Sequence, residues 1–324
     1  MNIRILKAGL QTTIQDLGRQ KYREFGISAS GALDQYSHQI ANWLVGNDNN
    51  KPTLEVTHIG PTLQFEQDVS IGIAGAEFEL FVNDRQASMN TTLHMQQGDV
   101  LKFGKLKSGA RAYVAFSGEL KLPLTMNSAS TNILVNFGGF KGRALKDGDL
   151  INLNATVFKE TRVTPNKLLK EHHHNLQQNH IIVRVTQGRE FEQLSQASRK
   201  SFLEENFTVS SDSNRMALKL EEQSLDLKDE LSMTTTPIIP GTIQLPENGS
   251  PIITLADGQT TGGYPRIAQV ISADLSLLGQ LKPKFLVSFY EVSIGHAIKV
   301  LKEKEKYLNT ILHSEVKSYT ATQT

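Results

Sequence analysis

The sequence predicts a mainly β protein with a few helices, and two observations support this prediction. Short runs of alternating or continuously apolar residues follow one another from Thr53 to Leu120, and similar runs resume at Ile181. Turn residues such as Asn83-Asp84 and Gly98-Asp99 separate the runs at intervals typical of hairpins. Strands with this spacing favour a barrel or a sandwich over a parallel α/β sheet.

Composition narrows the classes of protein to be considered. The chain has 324 residues, 21% of them charged, a formal net charge of +1 and no cysteine. A nearly neutral chain has no field that would attract nucleic acid or an anionic membrane. The absence of cysteine excludes disulfides, thiolate zinc sites and cysteine nucleophiles. No apolar run approaches the roughly 20 residues of a membrane span, and Met1 leads into Ile3 without a signal-peptide core. We therefore expect a cytoplasmic protein.

The first half begins with a short strand at Ile3–Leu6 and continues through a polar, turn-rich stretch to a helix. In that helix Leu33, Tyr36, Ile40 and Leu44 recur at three- and four-residue steps. Trp43 lies near the same face, so we expect it in the core. The predicted strands that follow are Leu54–Thr57, Thr62–Phe65, Val69–Ala74, Glu77–Val82, Val100–Phe103 and Ala112–Phe116.

Residues 159–180 show no clear period, and we predict a linker there between subdomains at 1–158 and 181–324. The linker contains His172, His173 and His174, but adjacent residues do not easily converge on one ion, so no metal site is predicted. Elements expected beyond it are a strand from Ile181, a helix at Phe191–Glu205, strands at 207–210, 216–220 and 286–289, a short helix capped by Ser272, and an amphipathic C-terminal helix covering a barrel end.

The most informative stretch is Asp257-Gly-Gln-Thr-Thr-Gly-Gly-Tyr-Pro-Arg266, which lies between two apolar runs. Three glycines and a proline shape its backbone, and a carboxylate, hydroxyls and a guanidinium surround it. Such loops between buried strands commonly carry binding or catalytic groups. A Gly-rich turn that only joins core strands is the alternative interpretation. Gly9–Arg19 echoes this loop, so we predict that both approach one cleft, with Arg19 and Arg266 available to an anion.

Cofactor signatures are absent from the sequence: it has no P-loop, no dinucleotide fingerprint, no nucleophile elbow and no Met-Lys-Met segment for covalent biotin. Four arginines remain in glycine- or hydroxyl-rich settings, at positions 19, 143, 215 and 266. A guanidinium fork suits a carboxylate or a phosphate, although a structural salt bridge is the commoner use of a single arginine. Asp16, Asp34 and Asp257 could hold these arginines, act as a base, or contact a metal on a nucleotide.

Together these motifs resemble the biotin-dependent carboxyltransferase (KipA-like) family, which includes the C subunit of 5-oxoprolinase and part of urea carboxylase. The resemblance covers roughly residues 3–300 and rests on Gly9-Leu-Gln-Thr-Thr-Ile-Gln-Asp-Leu-Gly-Arg19, Gly26–Asp34, Ala41–Asn47, Gly138–Asp149, Gly241–Pro246 and Asp257–Arg266. The sequence departs from the family pattern at Lys21, at Ala217–Lys219 and at Lys284–Phe285.

The resemblance implies two cyclophilin-like β-barrel subdomains and a component that is inactive alone. With a KipI-like B component and an A component, it would open 5-oxoproline to L-glutamate. ATP, with or without Mg²⁺, would be a co-substrate of that hetero-oligomer, and this chain would carry no covalent biotin. We assign catalysis to Asp257, Arg266, Arg19 and Asp16. We assign substrate binding to Gln15, Asp34, Asn42, Arg143, Arg215, Gln244, Thr260, Thr261 and Tyr264.

Two alternatives remain open at this point. The chain could be a carboxyltransferase component that acts on urea or a similar amide with a biotin carrier. It could also be a non-catalytic KipA-type protein that binds and antagonises a KipI-like kinase inhibitor.

Overall fold

The computed structural model describes residues 2–173, 179–229 and 233–312, and strands dominate these ranges. The first half contains β1 Asn2–Lys7, β2 Gln11–Gln15, β3 Thr53–Thr57, β4 Thr62–Phe65, β5 Val69–Val82, β6 Arg85–Ala87, β7 Thr92–Met95, β8 Val100–Phe116, β9 Gly118–Leu120 and β10 Leu150–Ala155. The second half contains β11 His180–Gln187, β12 Phe207–Val209, β13 Ala217–Glu221, β14 Thr236–Pro237, β15 Thr242–Gln244, β16 Ile252–Thr254, β17 Thr261–Gly262, β18 Arg266–Val270 and β19 Leu286–Glu291.

The helices are α1 Gln35–Leu44, α2 Asn166–His173, α3 Gln196–Glu204, α4 Leu275–Leu278 and α5 Ile294–Leu312. Short 3₁₀ turns occupy Gln20–Phe25, Phe191–Gln193 and Ser272–Asp274. No helix in the described residues is long and apolar enough to cross a bilayer.

The first half is a single curled sheet in which the order β2-β3-β8-β4-β1-β10-β9 is extended by β5, which pairs with β6, β7 and β8. The antiparallel pair of β5 and β8 contains the two longest strands of this sheet, and each of them was predicted as two shorter strands. Register shifts near Gly75 bend the pair without breaking it. Gly75 has φ +113°, and a Cβ there would lie 2.5 Å from the carbonyl oxygen of Arg111, so only glycine fits. The predicted turn at Asn83-Asp84 is confirmed, because both residues have positive φ.

The second half is a closed barrel in the order β11-β18-β15-β16-β13-β12-β19. Parallel pairing of β11 with β19, for example Ile181 with Val287, closes the barrel. Its core includes Phe202, which is fully buried and stacks on Phe289 with ring centroids 4.6 Å apart. The mainly β prediction is therefore confirmed, with one closed barrel and one curled half-barrel sheet.

Some helical predictions need adjustment. The helix expected at Phe191–Glu205 is a 3₁₀ turn followed by α3, because the Ser195 hydroxyl accepts from the Ser198 N–H at 3.1 Å and starts the helix there. Ser272 lies in a 3₁₀ turn and does not cap α4.

Two segments tie the halves together. Helix α5 packs Leu308 against the core cluster that holds Tyr36 and Trp43, and its Lys304 Nζ donates to the Ala273 carbonyl at 2.5 Å, so it contacts both halves. The predicted linker contains helix α2, whose Leu168 joins the same cluster. The side chains of His172–His174 lie outside the described residues.

Candidate functional site

The two halves meet where residues 16–34 of the first half contact residues 236–263 of the barrel half, a region we call the junction. The Ser30 N–H donates to the carbonyl of Ala256 at 3.0 Å. The Arg23 Nη2 donates to the carbonyl of Ile238 at 2.6 Å. Residues that follow the Gly9–Arg19 segment therefore contact residues that precede the Asp257–Arg266 loop.

A buried cluster of charges centres on Arg215. Its Nε donates to Asp257 at 2.8 Å, its Nη1 donates to Glu55, and its Nη2 donates to the Gly31 carbonyl at 2.7 Å. The side chains of all three charged residues are at most 5% exposed. Glu55 and Gly31 belong to the first half and Asp257 to the barrel, so one guanidinium links the halves.

Glu55 is held as a carboxylate by its neighbours. Burial alone would raise its pKa, but the guanidiniums of Arg215 and Arg111 lower it below the usual range. Glu55 also accepts from the Tyr113 hydroxyl at 2.8 Å and from the Leu33 N–H at 3.0 Å. Burial, followed by the charge of Glu55, raises the pKa of Tyr113 well above its ordinary value, so this hydroxyl remains a donor.

Gln280 fastens the barrel half to the same region. Its Oε1 accepts from the N–H groups of Ala110 and Arg111, and its Nε2 donates to Asp34 at 2.6 Å. Asp34 also accepts from the Ser37 N–H at 3.0 Å and thereby caps α1. Asp34 was predicted to bind substrate, but its carboxylate caps α1 and accepts from Gln280 in the contact between the halves.

Asp16 and Gln15 organise the loop around residue 130. The Asp16 carboxylate accepts from Gly18 N–H, Ser128 Oγ, Ala129 N–H and Ser130 Oγ. Gln15 donates to the Thr131 carbonyl at 3.0 Å and accepts from the Gly31 N–H at 3.2 Å. Both side chains hold backbone in place.

Arg19 is only 2% exposed. Its Nη2 donates to the Ser130 carbonyl at 2.5 Å, and its guanidinium lies over the Phe137 ring at 4.7 Å. Nη1 has no hydrogen-bond partner in the structure. Burial lowers the pKa of Arg19, while Asp16 and Asp257 oppose that shift. Arg19 thus keeps one donor free beside the junction.

Arg266 forms an ion pair within the barrel half, with Glu190 at the start of the 3₁₀ turn Phe191–Gln193. Its Nε and Nη2 bind the two oxygens of Glu190 at 3.0 and 2.8 Å. The Glu190 hydrogen bonds raise the pKa of Arg266. The structure thus places Arg19 at the junction, while the Arg266 guanidinium is engaged by Glu190.

The remaining residues that were predicted to bind substrate lie at separate places in the molecule. Asn42 of α1 donates to the Lys51 carbonyl at 2.9 Å, and Arg143 forms a bidentate pair with Asp149 at 2.7 and 2.8 Å. Within the Gly-rich loop, Thr260 is nearly buried, whereas Thr261 and Tyr264 are exposed. Gln244 is 1% exposed, and its Nε2 has no partner.

A cleft of about 570 Å³ opens at the junction between the 3₁₀ turn Gln20–Phe25 and helix α5. Ser30, Ala256 and Pro240 lie in its wall, and Arg23 is its single charged lining residue among the described residues. No described group of three or more His, Asp or Glu residues could hold a metal ion. The cleft has no carboxylate for Mg²⁺, so its residues do not fit a nucleotide–metal complex.

Several residues that connect the two halves were not predicted from the sequence: Glu55, Arg111, Gln280, Arg23 and Ser30. Glu55 carried a usable signal, because a lone carboxylate interrupts the buried run Leu54-Glu-Val56 and must find a partner. Arg23 carried none, since it lies in the polar run Lys-Tyr-Arg-Glu and its partner is 215 positions away.

Comparison with known proteins gives matches over nearly the whole chain. The model of the carboxyltransferase domain, subdomain A and B, matches residues 25–291. The chain is 36% identical to the C subunit of 5-oxoprolinase from Escherichia coli K12 over 316 residues, 97% of this chain and 99% of that protein. It is also 36% identical to the protein of the same name from Haemophilus influenzae, over 95% of this chain and 97% of that protein.

A solved structure supports the same relationship. The urea carboxylase of Kluyveromyces lactis superposes with a TM-score of 0.89 at 28% identity. The match covers 99% of this chain but 30% of that enzyme, so this chain corresponds to one part of that larger enzyme.

Proposed function

The chain belongs to the family of the carboxyltransferase domain, subdomain A and B, and we propose that it is the C-type subunit of an ATP-dependent 5-oxoprolinase. The observation that carries the proposal is 36% identity to two proteins of that name, each covered over at least 97% of its length. The similarity therefore extends along nearly all of both relatives and is not confined to one shared segment.

In the proposed reaction the complex opens the lactam of 5-oxoproline to L-glutamate. An unactivated lactam is a poor electrophile, and phosphorylation of its carbonyl oxygen makes ring opening feasible. The part assigned to this chain is to bind and orient the substrate within a rigid frame. Because the cleft lacks ligands for a nucleotide–metal complex, we place ATP binding on the assembled complex and expect the isolated chain to be inactive.

The buried cluster around Arg215 supplies the rigid frame in this proposal. Its charges are balanced, since Arg215 and Arg111 face Glu55 and Asp257, and its hydrogen bonds cross between the halves. A frame of this kind fixes the spacing of the cleft walls. The partners we propose are a KipI-like B component and an A component, both in the cytoplasm.

The test is to purify this chain with its A and B partners and to assay ATP-dependent glutamate release from 5-oxoproline. Release by the complete mixture, and by no mixture lacking this chain, is the expected result. Partners first shown to be active with the Escherichia coli protein serve as the control. No release from the complete mixture would contradict the proposal.

The superposition with urea carboxylase supports a second candidate, a carboxyltransferase component that acts on urea or a similar amide. It predicts bicarbonate-dependent ATP consumption that requires a biotinylated carrier and is abolished by avidin. Avidin-insensitive turnover of 5-oxoproline favours the first proposal. A KipA-type binding role, in contrast, predicts a tight complex with a KipI-like protein and no turnover in either assay.

A further inference from the structure

A second cleft, which we call the helix cleft, is lined by residues of α1, α2, β11 and α5. Its volume is about 390 Å³, and none of its described lining residues also lines the cleft at the junction. Three basic residues, Lys167, Arg184 and Lys304, line it together with the rings of Tyr36 and Tyr307. The helix cleft is therefore a separate cavity in which cationic side chains predominate.

Arg184 is held in one orientation and keeps an accessible donor. The Asp274 carboxylate accepts from its backbone N–H and its Nε at 2.9 Å each, and from its Nη2 at 2.5 Å. Its Nη1 makes no hydrogen bond with the described residues, and the side chain is 33% exposed. Asp274 is only 2% exposed, so its carboxylate faces the guanidinium and presents little negative charge to a molecule in the helix cleft.

Measured contacts bring the two lysines to the same place. Lys304 Nζ donates at 2.5 Å to the carbonyl of Ala273, the residue before Asp274, and lies 5.1 Å from the Tyr36 ring centroid. Tyr307 is three residues further along α5, and side chains with this spacing lie on one helix face. Lys167 Nζ lies 4.5 Å from the centroid of that tyrosine ring. The three cations therefore surround one cleft.

The acids around the helix cleft do not balance these cations. Asp274 pairs with Arg184, and Glu303, the other acidic residue that lines the cleft, lies 3.9 Å from Lys299. Lys167 is exposed and pairs with no carboxylate of the described residues. Like charges that line one small cavity repel each other, and an anion between them removes that repulsion.

We infer that the helix cleft binds a phosphate group, either as inorganic phosphate or as part of a small phosphate ester. A fixed guanidinium donor together with ammonium groups suits the charge and the several acceptor oxygens of phosphate. A bound phosphate would join α2, β11 and α5, which come from different parts of the chain. The inference goes beyond the proposed function and does not depend on it.

The test is isothermal titration calorimetry of the full chain with inorganic phosphate, adenosine monophosphate and acetate, all at one ionic strength. Phosphate and the monophosphate should each bind saturably, and acetate should bind at least tenfold more weakly because it carries one charge (about 1.4 kcal/mol). Similar affinities for the first two ligands identify free phosphate as sufficient, whereas tighter binding of the monophosphate identifies an ester. Acetate binding as tight as that of phosphate contradicts the inference.

Two substitutions should change phosphate affinity in opposite directions. Lys167→Gln removes an exposed cation of the helix cleft and should weaken binding by about tenfold. Glu303→Gln removes the exposed acid that lines the cleft and should strengthen binding by about threefold. Lys302→Gln is the matched control, because Lys302 is an exposed lysine of α5 that does not line the cleft, and its affinity should stay within about twofold of wild type.

Circular dichroism of each variant establishes that the fold is unchanged. The inference is overturned if wild type shows no saturable phosphate binding, or if Lys167→Gln binds phosphate as tightly as wild type. An equal loss in Lys167→Gln and Lys302→Gln overturns it as well, because it would mean that phosphate responds only to the overall charge of the protein.

Discussion

Removing the guanidinium of Arg215 is expected to destabilise the protein severely. Arg215→Met keeps the length of the side chain and removes its charge and its donors. The substitution leaves the carboxylates of Glu55 and Asp257 buried, at 0% and 1% exposure, and removes the ion pair that each makes with Arg215, while Arg111 stays 3.7 Å from Glu55. Breaking a buried ion pair on one side costs about 3–5 kcal/mol of unfolding free energy, so Arg215→Met should lose that amount.

Arg143→Met is the matched control, because Arg143 also makes a bidentate pair but its side chain is 27% exposed. Pairs exposed to solvent contribute about 0–1 kcal/mol. Urea unfolding followed by circular dichroism at pH 7.5 measures both variants. If Arg215→Met loses less than about 1 kcal/mol, or no more than Arg143→Met, the reasoning is refuted.

A double variant tests whether the loss of unfolding free energy comes from the carboxylates that Arg215→Met leaves buried without their ion-pair partner. Asp257→Asn removes one of the two charges that Arg215→Met leaves unpaired. The combined loss should therefore be smaller than the sum of the single losses by about 1–3 kcal/mol. Strict additivity would mean that Arg215 and Asp257 do not stabilise each other, contrary to their 2.8 Å contact.

Burial lowers the pKa of His38 to about 4 in the folded protein. Between pH 6.5 and 4 the unfolded chain therefore binds more protons than the folded one, so the free energy of unfolding should fall by about 3 kcal/mol as the pH is lowered through that range. His38→Gln should flatten that part of the urea-unfolding profile, and the same change at exposed His296 should not. Arg266→Gln should lose about 1 kcal/mol while kcat in the reconstituted assay stays within twofold; a large fall in kcat with unchanged stability would show a direct role in the reaction. Phe202→Ala should lose about 3–5 kcal/mol, because the ring is fully buried and stacks on Phe289, and a thermal melt unchanged from wild type would contradict this.

Local patterns predicted the elements that depend on local sequence. The steps of three and four residues through Tyr36, Ile40 and Leu44 gave α1, which begins at Gln35 and ends at Leu44. The hairpin turn at Asn83-Asp84 followed from residues that tolerate positive φ. These features need only the preferences of neighbouring residues.

The long strands could not be predicted in the same way. The predicted strands Val69–Ala74 and Glu77–Val82 stop on either side of Gly75, because local patterns do not show whether a glycine ends a strand or forms a bulge. In the structure the partner strand decides, since pairing of β5 with β8 continues on both sides of the shift.

The contacts between the two halves were hardest to predict, because they join residues that are distant in sequence. Arg215 reaches Glu55 across 160 positions, and Gln280 reaches Asp34 across 246. The sequence identified Arg215 and Asp257 as chemically notable, but it could not distinguish a guanidinium that binds an anion from one that joins two halves. By contrast, Arg143 lies six residues from Asp149, and that pair was within reach of local reasoning.

The most direct test of the central claim is the coupling between phosphate and glutamate in the reconstituted complex. Both products are measured in one reaction that contains 5-oxoproline, ATP and the A and B partners, with and without this chain. The proposed function predicts about one phosphate per glutamate, with glutamate formed only when this chain is present. Equal glutamate formation in its absence would contradict the proposal.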